Sequence, residues 1–130
     1  MELVRELLAE FAVTRRAVRR LTTPNWVWDT GTFRGWPDVP EYTGPDGFEE
    51  FFAKWTEPYE DWDMDVEDLR DLDNDRVLAI VTQRGRLRGT DNWVDLRFGM
   101  TYSVTEGLVS RIEVYASSNE ALEAAGLRDG

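Results

Sequence analysis

Val94-Asp95-Leu96-Arg97-Phe98-Gly99-Met100-Thr101-Tyr102-Ser103-Val104-Thr105-Glu106-Gly107-Leu108-Val109-Ser110-Arg111-Ile112-Glu113-Val114-Tyr115-Ala116 reads as two strands joined by a turn. Apolar and polar residues alternate on both sides of Glu106-Gly107, the period-2 signature of strands with one buried face. A three-residue loop, Thr105-Glu106-Gly107, would pair Val104 with Leu108. Leu96, Phe98, Met100, Tyr102, Ser110, Ile112 and Val114 then share one face. Arg97, Gly99, Thr101, Ser103, Arg111 and Glu113 share the other. A two-residue turn shifts the pairing by one and carries Glu113 in among Phe98, Met100 and Tyr102. Register follows the hydrophobic pattern, so the clean split is the expectation. Glu113 is then an outer-face residue near Arg97 and Arg111.

Outward from this hairpin, residues 76–88 form a strand and Asp61–Arg70 another. In the latter Trp62, Met64 and Val66 alternate with acids. Residues 2–21 read as a helix on the stripe Leu3, Val4, Leu7, Leu8 and Phe11, with four arginines (Arg15, Arg16, Arg19, Arg20) in its last turns. Residues 26–29 form a short strand and 30–45 an irregular Gly- and Pro-rich loop carrying Phe33, Trp36 and Tyr42. Asp46 reads as the N-cap of a second helix, with Glu49 completing a capping box. Phe48, Phe51, Phe52, Trp55 and Tyr59 make its aromatic stripe. Asn119–Ala125 is a short helix ended by Gly126. Helices followed by antiparallel strands give an α+β fold, with helices on one sheet face and the other face solvated or an interface.

Composition narrows the chemistry. The 130 residues suit one domain, residues 1–130, and 42% hydrophobic content is ample for its core. There is no cysteine and no histidine, so disulfides, thiolate nucleophiles and the usual zinc or haem sites are excluded, and no cofactor is expected. A net charge of −11 argues against nucleic acid as a partner. No run reaches the about 18 apolar residues of a membrane span, and no signal peptide opens the chain, so a cytoplasmic protein is expected. Ten carboxylates and one arginine lie between Glu57 and Asp75. The arginine cluster either docks on such an acidic neighbour or forms a solvated face of its own, as is usual for charge runs. Asp71–Asp75 and Asp61–Asp65 each resemble the start of a calcium loop, but Arg76 and Val66 stand where that loop needs glycine.

Acid–base chemistry must therefore use carboxylates, tyrosine, lysine or arginine. Asn25-Trp26-Val27-Trp28-Asp29 sets one acid beside two tryptophans. The structural reading of Asp29 is a turn aspartate bonding the amides of Thr30 and Gly31.

The order of elements, together with Glu41-Tyr42-Thr43-Gly44-Pro45-Asp46-Gly47-Phe48-Glu49-Glu50-Phe51-Phe52, Glu106–Ala116 and the tail Glu120–Leu127, resembles the SnoaL-like, or nuclear transport factor 2-like, superfamily. The resemblance implies a cone-shaped barrel: a curved, mostly antiparallel sheet wrapped around N-terminal helices, with an apolar pocket. It also implies a homodimer through the outer sheet face. Asp29 falls where ketosteroid isomerase keeps its general base, which implies that its side of the strand faces the cavity and Trp26 and Trp28 face away. That enzyme's proton-donating aspartate corresponds to Met100. The last-strand acid of limonene epoxide hydrolase corresponds to Val114, and its earlier arginine and aspartate to Arg76 and Leu78.

Two functions follow as expectations. In the first, Asp29 moves a proton and Tyr102 or Tyr59 donates to an oxyanion, in an isomerase, cyclase or hydrolase acting on an apolar substrate. The expected pocket is Trp55, Tyr59, Phe98, Met100, Ile112 and Val114, with Phe33 or Trp36 contributing from the loop. In the second, the same pocket binds an apolar, aromatic or polycyclic small molecule without chemistry; the apolar Met100 and Val114 favour it. A third possibility is a pocket filled by side chains in a domain that is mainly a dimer.

Overall fold

A computed structural model describes residues 2–31, 40–72 and 75–126. Among these, the order is α1 (Glu2–Thr14), a 3₁₀ turn (Arg19–Leu21), β1 (Thr22–Asp29), β2 (Glu41–Thr43), α2 (Gly44–Thr56), β3 (Tyr59–Leu72), β4 (Arg76–Leu87), β5 (Trp93–Thr105), β6 (Leu108–Tyr115) and α3 (Ser118–Ala124). The strands form one open, curved sheet in the order β2-β1-β6-β5-β4-β3. Only β1 and β6 pair in parallel; the other neighbours are antiparallel. α1 and α2 fill the inner face, so the α+β fold and its curved sheet are as expected.

The β5–β6 register differs from the expected one, although the residues from Arg111 onward keep their expected faces. Thr105 pairs with Leu108 across a two-residue turn, Glu106 (φ 51°) and Gly107 (φ 81°), both left-handed. This is the type I′ geometry that matches strand twist. Left alone, it would turn Glu113 inward. Beyond Val104–Val109, however, Ser103 pairs with Arg111, so Ser110 is one extra residue in β6. This bulge restores the parity. The Ser110 hydroxyl bonds the Ser103 carbonyl at 3.2 Å. Tyr102 then faces Ile112, Met100 faces Val114, and Thr101 faces Glu113. Glu113 is on the outer face, but not with the arginines expected. Tyr115 donates to it at 3.3 Å, while Arg97 pairs with Glu67, and Arg111 with Asp29 and Glu41.

The first helix is shorter than its periodicity predicts. Arg15 adopts φ 56° and its amide closes the last turn on Phe11 O at 2.8 Å. Its guanidinium bonds Trp62 O at 2.9 Å and Asp63 at 3.0 Å, and stacks over the Trp62 ring at 5.0 Å. These contacts offset a left-handed residue that costs about 1–2 kcal/mol. The reversal lays Val18 and Leu21 on the core, where a continuing helix would carry them past the sheet. The arginines dock within the chain: Arg16 on Glu49, Arg19 on Asp46, Arg20 on Glu6 and Glu10. Asp46 and Glu49 form no capping box, because Thr43 holds the N-cap position and Asp46 lies within the first turn. α2 starts earlier, at Gly44, with Pro45 in its first turn.

α3 corrects the layer assignment. It lies on the outer sheet face, where Ala121 and Leu122 pack on Leu78, Ile80 and Tyr115. Ser117 caps it by accepting from the Glu120 amide at 3.1 Å. Gly126 (φ 77°) ends it as expected. Gly99 makes this approach possible, since a Cβ there would sit 2.3 Å from the Ala121 Cβ. Gly99→Ala is therefore expected to destabilise the domain by about 1–3 kcal/mol in urea unfolding, the usual cost of overpacking. Adding Ala121→Gly should recover part of that loss; no recovery would show that α3 is not what Gly99 accommodates.

Candidate functional site

Between the helices and the inner sheet face lies a cavity of about 60 Å³. α1 contributes Leu7, Leu8 and Phe11; α2 contributes Phe48, Phe51 and Phe52; the sheet contributes Trp26, Trp28, Trp62, Met64, Phe98, Met100, Tyr102 and Ile112. Arg16, Ala17, Val18 and Thr22 complete the wall. The aromatic side is a tightly packed cluster, with Trp28 4.9 Å from both Phe48 and Phe51 in edge-on and tilted contacts. Such rings are stiff and bring large apolar area. Met64 and Met100 are the flexible members.

The polar inventory of this wall is short. Arg16 is exposed and its charge is met by Glu49 at 2.8 Å. Thr22 bonds Val18 O at 2.9 Å. Tyr102 is buried, and its hydroxyl donates to the Met100 sulfur at 3.8 Å, a weak acceptor. Burial pushes its phenol well above the usual value of 10. The indole Nε1 atoms of Trp26 and Trp28 are both buried and have no hydrogen-bond partner among the described residues. Trp55 and Trp62 differ, since both indoles donate to the buried Gln83, at 2.6 and 3.2 Å.

Of the residues expected in the site, Phe98, Met100, Tyr102 and Ile112 line the cavity together. Val114 is buried one pair further along the same face, outside the cavity lining. Trp55 stacks on Phe51 at 5.5 Å and meets Phe98 at 5.8 Å, behind the cavity wall. Tyr59 packs against Gly85 of β4, also away from it. Phe33 and Trp36 lie outside the described residues.

The expected direction of Asp29 is corrected. β1 runs parallel to β6 with Trp28 beside Ile112 and Asp29 beside Glu113. The tryptophans therefore take the inner face and Asp29 the outer one. One Asp29 oxygen accepts the Gly31 amide at 2.7 Å, the turn bond of its structural reading. The other is held by Arg111, which also reaches Glu41 at 3.1 Å. Among the described residues no carboxylate lines the cavity, and no group of acids is placed to hold a metal ion. Sequence reasoning missed Trp26 and Trp28 as cavity wall, although their alternation with Asp29 was legible. The residue-by-residue carry-over from ketosteroid isomerase assigned the wrong side.

Residues 4–112 match the SnoaL-like domain family. No curated protein matches the chain. Several solved structures share the fold. A nuclear transport factor 2-like protein from Burkholderia thailandensis E264 is 19% identical with a TM-score of 0.73, covering 88% of this chain and 87% of its own. TerC, co-crystallised with polyporic acid, is 20% identical with a TM-score of 0.71, over 95% of each chain. A protein of ketosteroid isomerase-like fold from Catenulispora acidiphila DSM 44928, in complex with trimethylamine, is 12% identical with a TM-score of 0.66, covering 94% of this chain and 93% of its own. The fold, the inner-face cavity and the match over residues 4–112 agree: this chain belongs to the SnoaL-like domain family.

Proposed function

We propose that this domain binds a small, predominantly apolar molecule in its inner cavity. The observation that carries this reading is the cavity wall, carbon-rich and aromatic, with its one guanidinium already paired. Apolar walls with a few polar groups are typical of small-molecule sites. Two relatives of the same fold hold small organic molecules, TerC polyporic acid and the Catenulispora protein trimethylamine. The size of the cavity bounds the ligand. About 60 Å³ is under half the engineered cavity of about 150 Å³ that takes up benzene. Any ring-sized ligand, a single ring such as cyclopentanone included, therefore requires Met64 and Met100 to swing aside.

Binding is favoured over isomerase, cyclase or hydrolase chemistry because the candidate base and the cavity lie on opposite sheet faces. Asp29 is committed to Arg111 and the Gly31 turn, and Tyr102 is held protonated. Tyr102 can donate a hydrogen bond at neutral pH but cannot accept a proton there. Self-association through the outer face, the other part of this proposal, must use the flank that α3 leaves open. Trp93 is exposed on that flank with Arg84 stacked on it at 4.6 Å.

Titration with small hydrophobic molecules, followed by tryptophan fluorescence, is expected to show saturable binding that Ala17→Leu abolishes by filling the cavity wall. Binding unchanged in that variant would place the ligand elsewhere. Against a panel of enolisable ketones, the protein and Asp29→Asn are expected to show the same background turnover. A selective loss in Asp29→Asn would restore the catalytic reading. Tyr102 makes a third outcome readable. Its folded pKa is raised, so its contribution is fully present below the unfolded value near 10 and is lost as pH rises beyond it. Stability should fall above pH 10 by about 1.4 kcal/mol per pH unit. Tyr102→Phe should flatten that fall in alkaline unfolding followed by circular dichroism.

A further inference from the structure

We infer that the cavity is built for an uncharged apolar molecule carrying a carbonyl-type oxygen, which the indole N–H groups of Trp26 and Trp28 recognise. The inference rests on the binding reading above and specifies its ligand class. Both residues are nine-tenths or more buried, both line the cavity, and both Nε1 atoms lack a partner among the described residues. Buried polar side-chain atoms are mostly hydrogen-bonded, so two orphans in one wall call for an explanation. The rest of the fold shows that an acceptor can be supplied when the indole is structural, because Trp55 and Trp62 share Gln83.

The chemistry of the donors selects the ligand. An indole N–H only donates, so its complement must accept: an ammonium has no lone pair, a neutral amine nitrogen has one, and a carbonyl oxygen has two, one for each indole. Trp26 and Trp28 are two apart on one strand, with rings 6.3 Å apart at 89°, so both donors belong to one wall. Tyr102 adds a third donor, released from the Met100 sulfur at little cost because that bond is weak. A carboxylate ligand is disfavoured. It would be desolvated among rings with no free cation, since Arg16 is paired with Glu49. A neutral ketone, aldehyde, ester or quinone oxygen meets all of these conditions.

The test compares two near-isosteric probes, cyclopentanone and methylenecyclopentane, which differ in an oxygen and a methylene. Binding is followed by the indole N–H resonances in ¹H–¹⁵N spectra of the folded protein. Cyclopentanone is expected to bind about tenfold more tightly, the increment of one well-made hydrogen bond. It should shift the Trp26 and Trp28 indole protons downfield, while methylenecyclopentane should leave them near their free positions. Trp26→Phe and Trp28→Phe, made separately, keep a ring and remove a donor. Each should reduce the ketone preference without weakening the alkene. Equal binding of both probes by the unaltered protein would overturn the acceptor inference and leave the apolar site standing. Binding of neither would overturn both. The unaltered protein decides the matter alone if a variant does not fold.

Discussion

The pairing parity of β5 and β6 is the constraint on which the rest of this domain depends. These strands supply the floor of the cavity through Phe98, Met100, Tyr102 and Ile112. They also supply the bed of α3 through Gly99 and Tyr115. A one-residue slip would exchange the two faces, burying Glu113 and Arg111 and exposing Ile112 and Val114. Twist-matched turns at Glu106-Gly107 favour that slip, and the Ser110 bulge cancels it. Two local irregularities, each of which would misdirect the strand alone, together produce the alternation visible in the sequence.

That history explains what could and could not be read in advance. The face to which β5 and the residues from Arg111 to Tyr115 belong was legible, because burying Glu113 costs far more than adding a bulge. The start of β6 was not: the expected pairing turned Ser110 inward and Val109 outward, whereas Ser110 is the bulge and Val109 is buried in the main core. The end of α1 was hidden for a different reason. Ala17, Val18 and Leu21 suit a continuing helix, whereas the left-handed Arg15 that ends it is held by Trp62 and Asp63, about 47 residues away. Tertiary contacts routinely override such propensities.

The site was legible in part. Phe98, Met100, Tyr102 and Ile112 were recoverable from the hairpin alone, because strand alternation sorts them to the apolar side. The aromatic stripe of α2 was recoverable too, although only Phe48, Phe51 and Phe52 of it reach the cavity. Asp29 shows the weakness of transferring a role by position. Strand alternation separated Asp29 from Trp26 and Trp28 correctly, and bulk alone would have sent the two indoles inward. A catalytic position borrowed from another member of the fold outweighed that physical signal. The Arg111 bridge between Asp29 and Glu41 then gives the acid a structural occupation at the junction of β2, β1 and β6.

The placement of α3 on the outer face has a consequence for how such a domain can diversify. Along β5, Phe98, Met100 and Tyr102 address the cavity, while the intervening Gly99 and Thr101 turn to the opposite layer. Each strand thus carries two interleaved texts, one read by whatever fills the interior and one by the terminal helix. Substitutions in the first can reshape the interior with no edit to the second. A lineage is then free to explore new cargoes while its exterior stays recognisable to the surfaces it meets, and the reverse exploration is equally open.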